Sequence, residues 1–594
     1  MMKSFQAHTV AQTPHTTMHN LRTITAALLA GAMVLTTTGF AAKSGKLAAY
    51  ASVKGAEKIS IKLLELQANA KKTASVKAAM QPGDSRLLRT ATGGKGETIV
   101  SLEIICYEVN DAVVAKISAT GAKVTDSYPQ YQRVMADVTS LDLLEKIAAI
   151  KEVAAVEPQY LPTKRSQGIA DGRNDYAHFV QTAQQAGATG AGVTVGIMSD
   201  SFARSSDMRT TNGSTFPAPG LAGNLNGSPP QQSGDLPPDI NILRDDIAGT
   251  DEGAAMGELI HDIAPDAKLA FHTAFQSEAG FAAGIARLAD PDDGASHIIV
   301  DDVGFFKEPM YQDGFIAQAA AQAVKKGVAF FSAAGNSGDV GIISNYRDVN
   351  PVVDDPNDAG TPSGSDLHDW GNGNPFLPIF IPATSSGARI IMQWNQPFWS
   401  LNPVTKPNKK SGSQIDLDLY ILDSADNSAL ENPVAESRNA QGMTGLPAGD
   451  PFEIIILAGG NQTVFLAVDH YIGNEDRIPQ GAPLEFRIVV ESLSGDPLEV
   501  EGFGIGGSLG EEDGGATIYG HGLAEGVVSV GAVPWWESPA YSPENFLFSI
   551  DNPFRTPTFG EIDPELFSSR GGDSARNGGM GEPKIQFTTK GKFK

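Results

Sequence analysis

The sequence contains a single cysteine, Cys106. One thiol cannot close an intrachain disulfide, and zinc sites or clusters built on several cysteines are excluded with it. Basic charge is scarce too. Lysine and arginine total 44 against 69 aspartates and glutamates, a formal net charge of -25, which disfavours nucleic acid and anionic membranes as partners. After the first forty residues no apolar run is long enough to resemble a transmembrane helix. No internal repeat of solenoid length is present, and no cofactor is expected.

What the chain does have is length and turns. Its 594 residues exceed a single core and imply two to four domains. With 64 glycines and 36 prolines it is turn-rich, as α/β and β-sandwich domains are. Residues 1–42 read as an export signal. Arg22 precedes an apolar run over 24–35, and Gly39-Phe40-Ala41-Ala42 offers small residues for cleavage. Met18 is a candidate start. The expectation is a secreted protein, extracellular or periplasmic, with no membrane contact after signal removal.

Residues 43–165 form an N-terminal region. An Ala/Lys-rich stretch with a helical pattern near 59–66 leads into a compact unit at 94–162. Its expected order is strand 98–107, helix 110–120, strands 122–127 and 132–138, helix 140–147 and strand 153–158. That is the split, ferredoxin-like β-α-β-β-α-β arrangement. From Lys164-Arg165 to about Gly187 the chain reads as a linker.

Over 166–340 strands and helices alternate. Val193-Thr194-Val195-Gly196-Ile197-Met198 has the unbroken apolar character of a buried parallel strand and ends at Ser199-Asp200. Strands at 269–274, 298–303 and 328–332 alternate with helices at 278–288 and 315–325. Such units imply a parallel sheet with right-handed crossovers and helices on both faces. Ligands bind such sheets at the carboxyl ends of the strands, where Asp200 and Asn336 fall. Between 341 and 505 the helical period gives way to short alternating strands, read as an inserted β-sandwich. Within it, Asp416-Leu417-Asp418 with Asp423 is either a calcium ligand set or a half-buried strand. Residues 506–594 return to the buried-strand style at 527–533.

One helix organises the middle of the chain, from Asp251 to the stop at Ala264-Pro265. Ala255, Met256, Leu259 and Ile263 recur at helical spacing and predict its buried face. The carboxylates of Asp251 and Glu252 suit the positive end of the helix dipole. Glu252 is either a solvated cap or a catalytic group.

Taken together, several segments resemble the subtilisin-like serine proteases (subtilases). They are the apolar strand into Asp200, the helix ending in Ala264-Pro265, Asp302-Val303-Gly304, Ala333-Ala334-Gly335-Asn336-Ser337-Gly338, Val530-Gly531-Ala532 and Phe567-Ser568-Ser569-Arg570-Gly571, in the family's order. The resemblance covers about 192–340 and 515–571. It implies a secreted serine endopeptidase with a subtilisin-like parallel sheet, acting on a protein or peptide substrate. It further implies that 43–165 is an inhibitory propeptide and that the sandwich is an accessory domain. Asp200 falls on the catalytic aspartate and Asn336 on the oxyanion-hole asparagine. Asp302, Val303 and Gly304 fall on the edge that binds substrate as an added strand.

The sequence departs from the family at two places. The slot for the catalytic histidine, His-Gly-Thr in the family, reads Glu252-Gly253-Ala254. Sedolisins, relatives on the same fold, use glutamate there with a second carboxylate one turn on, where this chain has Met256. Glu252 is therefore expected to work with Asp200. Two adjacent carboxylates cannot both ionise freely, which suits acid–base catalysis at acidic pH. His261 faces away from Glu252 on the helix, and His272 or His521 can serve only if folding brings them to Asp200. The second departure is the missing Gly-Thr-Ser-x-Ala nucleophile. Gly572-Asp573-Ser574-Ala575 is the nearest match, and the Lys-rich end reads as a chain cut short before the serine. The alternative expectation is a catalytically inactive subtilase fold, or a truncated gene product, that binds peptides or surfaces without cleaving them.

Overall fold

The computed structural model describes Tyr50 and residues 52–73, 75–81, 84–164, 180–205, 208, 216–246, 249–338, 340–349, 366–383, 385–401, 412–439, 441, 449–470, 484–493, 499–500, 517–532 and 568–569. The chain divides into two units, 1–53 and 54–594. The expected export signal and the segment around Ser574 lie outside the described residues. Among the described residues no helix is long and apolar enough to cross a membrane.

The second unit begins with α1 (Ile61–Thr73), which buries Leu63, Leu64 and Leu66. Gln67 Nε2 fastens it by donating to Leu141 O at 2.8 Å. There follow β1 (Thr90–Thr92), β2 (Thr98–Cys106), α2 (Asp111–Ala119), β3 (Lys123–Tyr128), β4 (Arg133–Val138), α3 (Leu143–Ala148) and β5 (Val153–Pro158). Asn110 starts α2 as an N-cap, its side chain accepting from Val113 N. The strands form one antiparallel sheet with β2 inside it. β5 and β1 pair along one edge of β2, β4 pairs along the other, and β3 lies outside β4. Cys106 is buried here, and burial pushes its thiol up to about 12.

The expected linker does not start at Lys164. Thr163–Lys164 is a short strand, β6, paired antiparallel with Val303–Gly304. After α4 (Val180–Gln185) come β7 (Thr194–Ser199), β8 (Gly223–Leu225), β9 (Ile240–Arg244), α5 (Glu252–Ile263), β10 (Lys268–Thr273), α6 (Glu278–Leu288), β11 (Ile298–Asp301), β12 (Val303–Gly304), α7 (Phe315–Lys325) and β13 (Ala329–Ala333). β8 and β9 arise inside a stretch whose Pro/Gly/Ser content hides them from a sequence reading.

Two antiparallel sheets come next. One contains β14 (Gly341–Asn345), β17 (Gly387–Trp394), β20 (Phe452–Ala458) and β22 (Glu485–Ser492). The other contains β15 (Asp366–Leu367), β16 (Leu377–Ile381), β18 (Leu417–Leu422), β19 (Ala435–Ser437), β21 (Gln462–His470) and β23 (Glu499–Val500). Ile390, Met392 and Trp394 of the first share one core with Leu417, Leu419 and Ile421 of the second. The opposite face of the first sheet, Ile391, Ile454 and Val489, packs on Leu88, Phe306, Met310 and Phe398. With both faces covered, every residue of β17 is buried, so its alternation does not mark an exposed side.

β24 (Val527–Val530) then returns to pair in parallel with β13. The resulting sheet has the order β24-β13-β11-β7-β10-β9-β8, parallel except for the β8–β9 pair. On one face α6 and α7 bury Phe281, Ile285, Ile316 and Ala320 against Met198, Ile299 and Phe330. On the other, Ala254 of α5 packs with Ile197, Leu269 and Phe271. The mixed α/β fold thus has helices on both faces of a mainly parallel sheet.

The N-terminal sheet rests on this α/β layer through specific polar contacts. Arg244 makes a bidentate pair with Asp126 (2.9 and 3.0 Å). Tyr128 OH donates to Gln276 Oε1 at 3.1 Å. Phe315 meets Tyr131 in a tilted ring pair and lies beneath the Arg133 guanidinium, both at 5.0 Å. Lys307 spans Glu157 (2.5 Å) and Asp450 (2.8 Å), joining three parts of the chain. Burial opposes its charge, but the two carboxylates outweigh that and hold its pKa well above the ordinary lysine value.

Candidate active site

The expected buried face of α5 needs correcting. The buried positions are Gly253, Ala254 and Gly257, while Ile263 is exposed and Ala255 and Leu259 are only partly covered. Small residues, not large ones, face the sheet because the helix approaches it closely. A Cβ on Gly253 would lie 2.5 Å from Phe271 Cε2 and 2.8 Å from the carbonyl oxygen of Ser201. Gly253 N also donates to that oxygen at 3.1 Å. We expect Gly253→Ala to displace the start of α5 and to lower stability by ~1–3 kcal/mol in a denaturant titration, since neither contact can yield freely.

That close approach puts the first turn of α5 on the loop leaving β7. Asp200, which directly follows β7, is 1% exposed. Its Oδ1 accepts from Ser201 N (2.5 Å) and from Glu252 N (3.1 Å), with Ser201 Oγ at 3.2 Å. Its Oδ2 accepts from Thr250 N (2.8 Å) and Thr250 Oγ1 (2.7 Å). One bond joining Asp200 to Glu252 runs through the Glu252 backbone, whose N–H belongs to the positive end of the helix.

Asp251 stands at the start of α5. It occupies the N-cap position at φ 61° and makes no side-chain cap bond. Its carboxylate turns back to the 201–205 loop, accepting from Arg204 N (2.7 Å) and Ser205 N (2.6 Å), with Ser201 Oγ at 2.8 Å. Asp245 holds the same loop from the other side, through Phe202 N, Ala203 N and Arg204 Nε. Burial pushes the Asp245 carboxyl above its usual value, against the charge of Arg204. Asp251 and Asp245 thus fix the loop that follows Asp200.

Asn336 follows β13. Its neighbours are anchored from the far end of the chain: Gly335 O accepts from Ser569 N (2.8 Å), and Ser337 N donates to Ser569 Oγ (2.9 Å). Gly335 has φ 110°, which a side chain would oppose. Asp302 is buried between β11 and β12. Val303 and Gly304 form β12, in register with Lys164 and Thr163. Asp200, Asn336 and Asp302 all lie at carboxyl ends of neighbouring parallel strands, as β7, β13 and β11 are adjacent in the sheet.

The alternative histidines have other partners. His272 is buried with Nδ1 2.8 Å from Thr273 O, and burial lowers its pKa to about 3, so it stays neutral. The ring of His521 is held by Glu308, Asp301 and Ser332. His261 lies in the last turn of α5. Among the described residues no group of three or more His, Cys, Asp or Glu side chains is placed to hold a metal ion.

No protein-family model and no curated protein matches the chain. Among solved structures, it is similar to fervidolysin from Fervidobacterium pennivorans, a keratinolytic enzyme related to subtilisin: 16% identity, 44% of this chain and 46% of that one, TM-score 0.25. The epidermin leader peptide processing serine protease (EpiP) from Staphylococcus aureus matches at 16% identity over 43% of this chain and 62% of its own, TM-score 0.26. The CspB protease of Clostridium perfringens matches at 11% identity over 62% and 74%, TM-score 0.30. The chain spans less than two thirds of the first two proteins.

Proposed function

We propose that this chain has a subtilisin-like fold and acts as a secreted serine-type endopeptidase of the subtilase/sedolisin group. In this assignment the N-terminal sheet is a ferredoxin-like propeptide, the two antiparallel sheets are an inserted β-sandwich, and β24 returns the chain to the catalytic domain. The observation that carries it is the pairing of β6 with β12. Val303-Gly304 is the segment expected to accept a substrate strand, and it is occupied by Lys164-Thr163, directly after the N-terminal sheet. A backbone strand added to a free edge is how an extended peptide is bound without regard to its side chains. Asp200 and Glu252 would supply the carboxylates and Asn336 the oxyanion donor.

A second function is favoured by a specific observation. Both oxygens of Asp200 are already served by donors of its own chain, and the sequence contains no Gly-Thr-Ser-x-Ala segment. A protein of this kind would bind peptides on β12 without cutting them. Incubation with an unfolded, fluorophore-labelled polypeptide from acid to neutral pH, with fragments sized by mass spectrometry, separates the two. Internal cleavage with a maximum below neutrality is expected of the peptidase. Binding with the polypeptide left intact at every pH would assign the second function.

A further inference from the structure

We propose that His521 is a positioning residue for the peptide-binding edge: its ring fastens Asp301 and Glu308, the two carboxylates that bracket Asp302-Val303-Gly304, a role that presupposes the peptide pairing of β12 proposed above. Nδ1 lies 2.7 Å from Glu308 Oε2, which also accepts the backbone N–H of His521 at 2.8 Å. Nε2 lies 3.1 Å from Asp301 Oδ1, and Ser332 Oγ donates to the same oxygen at 2.9 Å. The other oxygen of Glu308 takes the N–H of Phe305 at 3.0 Å. One ring therefore ties the end of β11 to the turn that follows β12.

The surroundings are built for this contact. The side chains of His521 and Asp301 are fully buried, and Phe281 meets the ring edge-on at 5.2 Å. Gly520 has φ 70°, and a Cβ there would fall 2.5 Å from Glu308 Oε2. The residue before His521 is thus glycine where the carboxylate needs the space. Aspartate, serine, histidine and glutamate meet here without access to solvent, so the cluster serves to hold the edge and has no substrate to act on.

Both ring nitrogens face carboxylates, an arrangement that suits the doubly protonated imidazolium. Burial alone would remove that proton, but Glu308 and Asp301 outweigh it and raise the pKa to about 9. The other groups around the ring, Ser332 and Phe281, carry no charge. Glu278 of α6 is pushed up to about 8 by burial and then by the charge of Glu308, and Lys307 is directed to Glu157 and Asp450. A folded-state pKa above the ordinary 6.5 means that the clamp contributes fully below that pH. Its contribution is lost as the pH rises through about 9.

Hydrogen exchange of the full chain, corrected for intrinsic rate, tests this over residues 301–308 and 163–164. In the wild type both segments should be best protected below about pH 6.5 and lose protection, at least roughly tenfold in all, in a step between there and about pH 9. His521→Gln should expose both by a similar factor at every pH and abolish the step. Glu308→Gln, which keeps the bulk of the side chain, should move the step to lower pH even if the first variant folds poorly. Glu278→Gln should leave the step in place. Wild-type protection and pH profile in both His521→Gln and Glu308→Gln would overturn the proposal. So would loosening confined to 301–308, which denies a role at the edge. An unprotected 163–164 in the wild type would contradict the proposed function itself, and this role with it.

Discussion

Replacing Lys307 with methionine should destabilise the protein by ~3–5 kcal/mol, because it strands Glu157 and Asp450 without their shared cation. The two carboxylates come from different parts of the fold, the last strand of the N-terminal sheet and the segment leading into β20, and Lys307 follows β12 by three residues. The ammonium is mostly buried, as are both partners, so water cannot replace it cheaply. Chemical denaturation should show the loss. The variant should also show a second, earlier transition as the N-terminal sheet separates. Lys307→Met with Glu157→Gln should recover part of the stability, since one of the two stranded charges is then gone. A single-variant loss within about 0.5 kcal/mol would mean the bridge is solvated in solution.

Glu252→Gln should lower peptide hydrolysis by ~10²–10⁴-fold if this residue is the general base, with binding of the polypeptide unchanged. The substitution keeps the shape of the side chain. It also keeps the backbone N–H that Asp200 accepts, so the fold of the first turn of α5 should survive. Thermal unfolding therefore serves as the control, with a shift of no more than a few degrees. Hydrolysis at the wild-type rate in a well-folded variant would remove Glu252 from the chemistry. It would then leave the glutamate as a partly covered residue at a helix start.

Large parts of this molecule were legible because their patterns are local. The apolar run into Asp200 has the unbroken character of a doubly covered strand, α6 opens on the N-cap Ser277, and α6 and α7 both carry helical periodicity. The face of α5 was misread for a physical reason. Periodicity arguments weight large side chains, whereas this helix approaches the sheet so closely that Gly253 and Gly257 make the contact. The role of Asp251 was hidden because its backbone sits at positive φ, which aims its carboxylate away from the helix end. The pairing of Thr163-Lys164 with Val303-Gly304 joins residues about 140 apart in sequence, and two-residue strands have no periodicity to read. The His521 cluster is likewise non-local. Its only sequence trace is the Gly520-His521 step, which has meaning once Glu308 is seen above it.

The central claim is that β12 is a peptide-binding edge held by the chain's own β6. Substituting proline at both Thr163 and Lys164 removes two backbone donors and should free that edge. Amide exchange at Val303 and Gly304 should then rise roughly tenfold or more and fall back when an unfolded polypeptide is added. Exchange that is unchanged by the substitution, or that rises but is not restored by added polypeptide, would contradict the account.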